Sequence, residues 1–332
     1  MEYFVTGATG FLGGHLVEQL VEDGHEVVAL ARTPARADDL RELGATVVEG
    51  DVTDRESMRE PMRGTDGVFH VAAVYRLGVA DPSGMRAVNV EGTRNVLELV
   101  DELDVPRAVY TSTLAVNSDT RGRVVDESYR FRGEHLSAYD RTKAEAHDVA
   151  AELAADGVPV VTVLPGAIYG PGDTSQLGDL WRDYLRGDLP VVPRGSAYCF
   201  GHVEDTARAH VLAMERGDPG EEYIVAGHPM TLVEALGVAE ELTGIPAPRA
   251  VSPAWFRLGA RVTGLLGRVV DLPAEYRPEA LRVLGGVTYL GANDRAREEL
   301  GVEHRPFDVG FAETLAALAG EVGVDVTVER PG

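Results

Sequence analysis

Tyr139-Asp140-Arg141-Thr142-Lys143 is the stretch whose residue types and spacing do chemistry most directly. Of the 31 lysines and arginines in the chain, Lys143 is the only lysine. It stands four residues after Tyr139, and on a helix positions i and i+4 share a face. A neighbouring ammonium favours phenolate over phenol, so the pair predicts a tyrosine titrating below its usual ~10. Such a phenol can donate a proton to a carbonyl oxygen or take one from an alcohol. Tyr and Lys also meet at this spacing on ordinary surface helices. The loss of lysine everywhere else is what singles this pair out.

The second chemical signal is at the start of the chain. Tyr3-Phe4-Val5 predicts a short strand, and Thr6-Gly7-Ala8-Thr9-Gly10-Phe11-Leu12-Gly13 follows at once. Beyond it, Leu16, Val17, Leu20 and Val21 recur at helical spacing. Gly7 permits a tight turn, Gly10 lets backbone approach a pyrophosphate, and Gly13 allows close packing of helix on strand. The helix N-terminus adds amide donors and a positive dipole. Strand, glycine triplet and helix in this order predict a dinucleotide site at Gly7, Thr9, Gly10, Phe11, Leu12 and Gly13.

A third signal concerns which dinucleotide binds. An acidic residue about 20 positions beyond the glycines grips the ribose hydroxyls of NAD. After the strand Glu26–Leu30 that place holds Ala31, followed by Arg32. An arginine with no neighbouring carboxylate suits the 2′-phosphate of NADP. NADP(H) is therefore the expected cofactor, with NAD(H) the alternative, and Arg36 is a second positive group.

These residues need a scaffold, and the rest of the chain predicts one. Strands are expected at Thr46–Val52, Val68–Ala73, Arg107–Tyr110 and Val158–Leu164, alternating with helices to about residue 170. This pattern means a parallel, doubly wound α/β sheet. Ligands in such sheets lie beyond the carboxyl ends of the strands. Asp51 and Val52 are expected beside the adenine, and Ala72 and Ala73 where backbone passes the cofactor. Thr111-Ser112-Thr113 places hydroxyls near the Tyr139 helix. Pro165, Ala167 and Ile168 form a Gly/Pro-rich exit that walls the nicotinamide. His70 is expected to be satisfied within the sheet, and Asn89 to cap the helix that follows it.

Residues 1–173 are expected to bind the nucleotide, with 200–226 returning to that domain through a strand at Tyr223–Val225. Residues 174–199 and 227–332 are expected to build a smaller C-terminal α/β substrate lobe, with helices near 231–243, 253–270 and 308–320. Trp255, Phe256, Leu265, Leu266, Val269 and Val270 either line a pocket there or fill its core.

The bulk composition bounds the setting. The chain has 332 residues, one cysteine (Cys199) and a net charge of −23. A single cysteine excludes an internal disulfide and fits a reducing compartment, so a cytoplasmic location is expected. The negative charge argues against nucleic acid or an anionic membrane as partner. No apolar run is long enough to span a bilayer. The chain reads as a strand from Glu2, so no leader is expected ahead of the fold. No metal site is expected. Acidity together with replacement of Lys by Arg predicts a salt-accumulating cytoplasm, where the Debye length shrinks to ~3 Å.

Together, Thr6–Gly13, Thr111-Ser112-Thr113, Tyr139–Lys143, Pro165–Asp173 and His202-Val203-Glu204-Asp205 resemble the extended short-chain dehydrogenase/reductase family over nearly the whole chain. Leu30–Pro34 is similar to dihydroflavonol reductases. His70–Leu77 and Asn89–Asn95 are similar to hopanoid-associated sugar epimerases. The resemblance implies a Rossmann fold, Tyr139 as acid/base, Lys143 lowering its pKa and binding the nicotinamide ribose, and Thr113 holding the substrate oxygen. It also implies a small-molecule substrate and a homodimer. One departure stands out. Tyr198-Cys199 occupy the place where nucleotide-sugar members carry arginine and aspartate, and the nearest arginine is Arg194.

Three functions are consistent with these residues. The first is an NADP(H)-dependent carbonyl reductase. The second is an epimerase or dehydratase acting on a nucleotide sugar, and the third a nucleotide sensor without turnover. The intact Thr113/Tyr139/Lys143 set argues against the third.

Overall fold

The computed structural model describes residues 1–79, 81–266 and 277–329. Seven parallel strands form the main sheet: β1 (Glu2–Thr6), β2 (Glu26–Ala31), β3 (Thr46–Glu49), β4 (Gly67–His70), β5 (Ala108–Thr111), β6 (Val160–Pro165) and, later in the chain, β10 (Glu222–Val225). Their order is β3-β2-β1-β4-β5-β6-β10. The sequence of strands reverses between β1 and β4, which makes that crevice the switch point where such sheets bind ligands. The fold is a Rossmann-type α/β fold, as the strand-helix alternation predicts.

The sheet strands are apolar on both faces because helices cover both. Helices α1 (Phe11–Glu22), α2 (Asp38–Leu43) and α8 (Val203–Arg216) pack on one face. On the other lie α3 (Arg55–Met62), α5 (Gly92–Glu102) and α6 (Ala138–Ala155), around Met58, Leu97, Tyr110 and Val149. Helix α4 (Ser83–Arg86) runs through a π-turn at Ala87–Glu91 into α5. Asn89 therefore sits inside a helical run and caps nothing. Its amide instead accepts from the Val74 N–H at 2.7 Å and donates to the Val74 carbonyl and the Thr142 hydroxyl, both at 3.1 Å.

A second sheet crosses the carboxyl end of the first. It comprises β7 (Ala167–Tyr169), β9 (Ala197–His202), β11 (His228–Thr231) and β13 (Thr288–Tyr289), while β8 (Val191–Pro193) pairs with β12 (Arg249–Val251). Helices α7 (Gln176–Arg186), α9 (Leu232–Thr243) and α12 (Phe307–Val322) enclose a core of Trp181, Phe200, Leu236 and Phe311. Leu114, Leu164, Cys199 and Ile224 join the two sheets. At Gly166 a Cβ would stand 2.2 Å from the Cys199 carbonyl oxygen, so only glycine lets the chain leave β6 for β7 here.

Helices α10 (Pro253–Leu266) and α11 (Pro278–Leu284) pack on each other. Trp255 is 67% exposed and does not fill a core, because α10 turns it outward with Leu258 and Val262. Val269 and Val270, and the side chains of Leu265 and Leu266, lie outside the described residues.

Candidate active site

The glycine turn is built as its spacing demands. Gly7 has φ +73°, and a Cβ there would meet the Ala72 nitrogen at 2.6 Å. A Cβ on Gly13 would sit 2.1 Å from the Gly7 carbonyl oxygen. Gly10 caps α1 without a side-chain bond, and no acid occupies the first turn, so the helix's positive end faces outward unneutralised. Ala72 leans on this turn, its N–H donating to the Thr6 hydroxyl at 3.3 Å, with Ala73 beyond it at the surface. Leu12 is buried under the turn and Thr9 is exposed. Across the crevice a Cβ on Gly170 would lie 3.4 Å from the Phe11 ring, which brings the β7 exit against the start of α1. Pro165 ends β6, and Ala167 and Ile168 pair with Phe200 and Gly201 of β9.

Arg32 is exposed and forms no ion pair or hydrogen bond among the described residues. Its surroundings correct the sequence reading. Glu49, Asp51 and Asp54 line the same groove as Arg32, brought there by β3 and the loop after it. Carboxylates absent from the neighbouring sequence are thus present in space. Asp51 is partly engaged, its Oδ1 accepting from the Thr53 N–H at 2.9 Å and the Thr53 hydroxyl at 2.8 Å. Val52 is buried, facing the backbone of Gly92.

At the carboxyl end of β5 three successive hydroxyls diverge. Thr111 bonds to His210 at 2.9 Å on one face of the sheet, and Ser112 to His147 at 3.0 Å on the other. The Thr113 hydroxyl oxygen accepts from the Ala115 N–H at 3.2 Å and lies near enough to Tyr139 to draw its phenol down. Helix α6 carries Tyr139 because Ser137, in extended conformation, caps its N-terminus by accepting from the Asp140 N–H at 3.0 Å. Asp140 is fixed in turn by the hydroxyls of Ser137 (2.7 Å) and Tyr289 (3.0 Å). Burial pushes its carboxyl up to about 6 against these bonds.

The titration of Tyr139 runs opposite to expectation. Burial drives its phenol well above 10, Thr113 draws it back and Asp140 pushes it further. Lys143 does not offset this, because its ammonium points elsewhere. Nζ donates to the Tyr110 phenol oxygen at 3.1 Å and the Thr111 carbonyl at 2.7 Å, and lies 4.7 Å from the Tyr110 ring centroid. Burial lowers Lys143 to about 7.

Sequence reasoning missed Tyr110, whose place on a buried strand resembles any core aromatic. It also missed the phenols around Tyr139. Tyr75 packs edge-on against Tyr139 at 4.7 Å, and Tyr198 stacks near Tyr289 at 6.1 Å. His70 is satisfied in the sheet, as expected, by Thr6 at 2.8 Å and Thr93 at 2.9 Å. Arg194 donates to the Ala250 carbonyl at 3.1 Å, on the strand pair β8–β12. Asp205 holds Arg305 through its backbone N–H at 2.8 Å and its guanidinium at 3.0 Å.

A parallel sheet with its glycine turn at the switch point, and a partly buried Tyr and a buried Lys one turn apart beside it, define a nucleotide-binding α/β protein of the extended short-chain dehydrogenase/reductase class. The family model for the NAD-dependent epimerase/dehydratase family matches residues 3–226, and the chain belongs to that family of enzymes. It is 35% identical over 335 residues to a 4-hydroxy-2-methyl-3-oxo-4-farnesyl-3,4-dihydroquinoline-1-oxide ketoreductase of Stigmatella aurantiaca, covering 97% of this chain and 98% of that one. It is 30% identical over 279 residues to a UDP-glucose 4-epimerase of Streptomyces lividans, covering 76% and 84%. The crystal structure of gox2253 superposes with a TM-score of 0.84 at 29% identity, covering 96% of this chain and 98% of that one. Reductases and epimerases thus both occur among its relatives.

Proposed function

We propose that the protein is an NADP(H)-dependent reductase of a carbonyl compound, passing hydride between nicotinamide and the carbon that bears the oxygen. The observation that carries this reading is a Tyr139 phenol that burial keeps protonated, one helical turn from the buried Lys143. A neutral phenol is a proton donor, as reduction of a carbonyl requires. Thr113 and Tyr139 hold the substrate oxygen, and the bound nicotinamide supplies the hydride. Lys143 holds the cofactor ribose and returns a proton to Tyr139.

Gly7, Thr9, Gly10, Phe11, Leu12 and Gly13 cradle the pyrophosphate, with Asp51, Val52, Ala72 and Ala73 along the adenosine half and Pro165, Ala167 and Ile168 against the nicotinamide. Residues 1–173 and 200–226 then form the nucleotide domain, and the remainder the substrate lobe. A less polar substrate is favoured by the phenols of Tyr75 and Tyr198 around Tyr139, and by the farnesyl-bearing ketone in the name of the Stigmatella relative. The acidic, arginine-rich composition supports a high-salt cytoplasm.

The second reading is an epimerase or dehydratase with retained NAD, favoured by the carboxylates around Arg32. Calorimetry with NADPH and NADH in molar KCl separates the two readings. Exchangeable binding that prefers NADPH supports the reductase, while a site already filled with NAD supports the epimerase. Tyr139→Phe is expected to cut NADPH-dependent ketone reduction by about 10²–10⁴-fold while leaving cofactor binding near normal. Retained turnover in that variant would overturn the assignment.

A further inference from the structure

Helix α10 presents an apolar stripe to the outside. Trp255 is 67%, Leu258 50% and Val262 47% exposed. At about 100° per residue these three lie within about 60° of one another around the helix, and the buried Ala260 lies on the opposite side. Exposure of that size puts the stripe on a ridge, not in a groove. Arg257 and Arg261, both exposed, run beside it and have no carboxylate partner among the described residues. Their charge runs against that of the chain as a whole. Between Glu241 and Asp271 no acidic residue occurs, although the chain carries 54 acids and a net charge of −23.

We propose that this face of α10 docks on an anionic lipid surface. Trp255, Leu258 and Val262 enter the headgroup boundary, and Arg257 and Arg261 meet lipid phosphates. An apolar stripe edged by arginine is the pattern of helices that lie in the membrane interface. No described helix is long and apolar enough to cross a bilayer, so the contact is peripheral. The overall negative charge does not forbid it, because acids more than a Debye length away, ~10 Å at moderate salt, are screened from the lipid. Charge also selects lipid over a second copy of this chain. Two-fold pairing sets a face against itself, and here it would bring arginines against arginines. Helix α10 packs on α11, and α11 braces the candidate active site. The Glu279 side chain accepts from the Ala138 N–H at 3.0 Å, one residue before Tyr139, and Arg277 donates to the Gly78 carbonyl at 2.7 Å. Docking thus holds against lipid the unit that braces Tyr139, which suits a lipid-dissolved carbonyl substrate. That use rests on the reductase reading above; the docking itself does not.

The chain has two tryptophans, and Trp181 is fully buried, so an emission change on mixing with lipid reports Trp255. The full chain, in the lowest KCl that keeps it folded, is mixed with vesicles of equal parts phosphatidylcholine and phosphatidylglycerol. Docking predicts a blue shift, quenching by brominated acyl chains, and flotation of the protein with the vesicles. Replacing Arg257 and Arg261 together by Gln should weaken partitioning about 25-fold, about fivefold for each charge. Leu258→Ser with Val262→Ser keeps the reporter and should weaken partitioning roughly tenfold or more. All four positions are exposed, so the fold does not depend on them. A protein that neither shifts nor floats overturns the proposal, and so does lipid binding that both variants leave unchanged. A blue shift that grows with protein concentration without vesicles, alongside a doubled mass, overturns it in favour of a second copy on this face. These readouts need neither cofactor nor turnover, so they stand apart from the outcome of Tyr139→Phe.

Discussion

The ammonium of Lys143 lies 3.1 Å from the phenol oxygen of Tyr110, on the strand beneath its helix, and has no carboxylate partner among the described residues. A buried cation held only by a phenol, a carbonyl and a ring face is poorly compensated for the water it has lost. Its consequences are measurable.

Replacing Lys143 by Met is expected to stabilise the protein while abolishing turnover. The folded-state value of about 7 lies below the ordinary 10.5, so the unfolded chain binds the extra proton between them. The cost of the buried charge is fully present below pH 7 and is relieved as pH rises from 7 toward 10.5. Below pH 7 Lys143→Met should gain about 1–4 kcal/mol, and its stability should no longer climb through that window. Chemical denaturation across pH checks both.

Asp140 gives a slope of opposite sign. Its folded value, raised by burial to about 6, exceeds the ordinary 3.8, so the folded state holds the proton longer. Stability from this group is intact below about pH 4 and falls as pH rises to about 6. Asp140→Asn still accepts from Ser137 and should flatten that slope. A melting curve as steep in the variant as in the parent would contradict this.

Arg32→Ala tests the cofactor. Loss of a charge-assisted bond to a 2′-phosphate costs about 1.5–3 kcal/mol, so the Kd for NADPH should rise about 10- to 100-fold and that for NADH should hardly change. Equal weakening of both would mean that Glu49 and Asp51 govern the groove.

Salt dependence tests habitat. Glu102 meets both Arg55 at 2.6 Å and Arg59 at 2.8 Å, yet with 54 acids against 31 bases, 23 acids have no basic counterpart in the chain. Screening should relieve that repulsion, so the melting temperature should rise with KCl into the molar range. Indifference to KCl would refute the high-salt proposal.

Much of this molecule is written locally. The strand, glycine turn and helix at Tyr3–Val21 depend on steric freedom at Gly7 and on 3.6-residue periodicity, and both are legible in a line of residues. The same holds for the alternation that forces a parallel sheet, and for Tyr139 and Lys143 one helical turn apart. What the sequence could not supply is contact between distant segments. Arg32 has no acidic neighbour along the chain, yet β3 delivers Glu49 and Asp51 to its groove. Asn89 looks like a cap until the π-turn carries it into a helix and sets its amide against Val74. Most of all, i and i+4 spacing places Lys143 on the face of Tyr139 but does not say where a four-carbon stem will lead its charge. Packing of α6 on β5 decided that by burying Lys143 over Tyr110. The spacing of residues determined which groups face the site, and tertiary burial determined which of them hold protons.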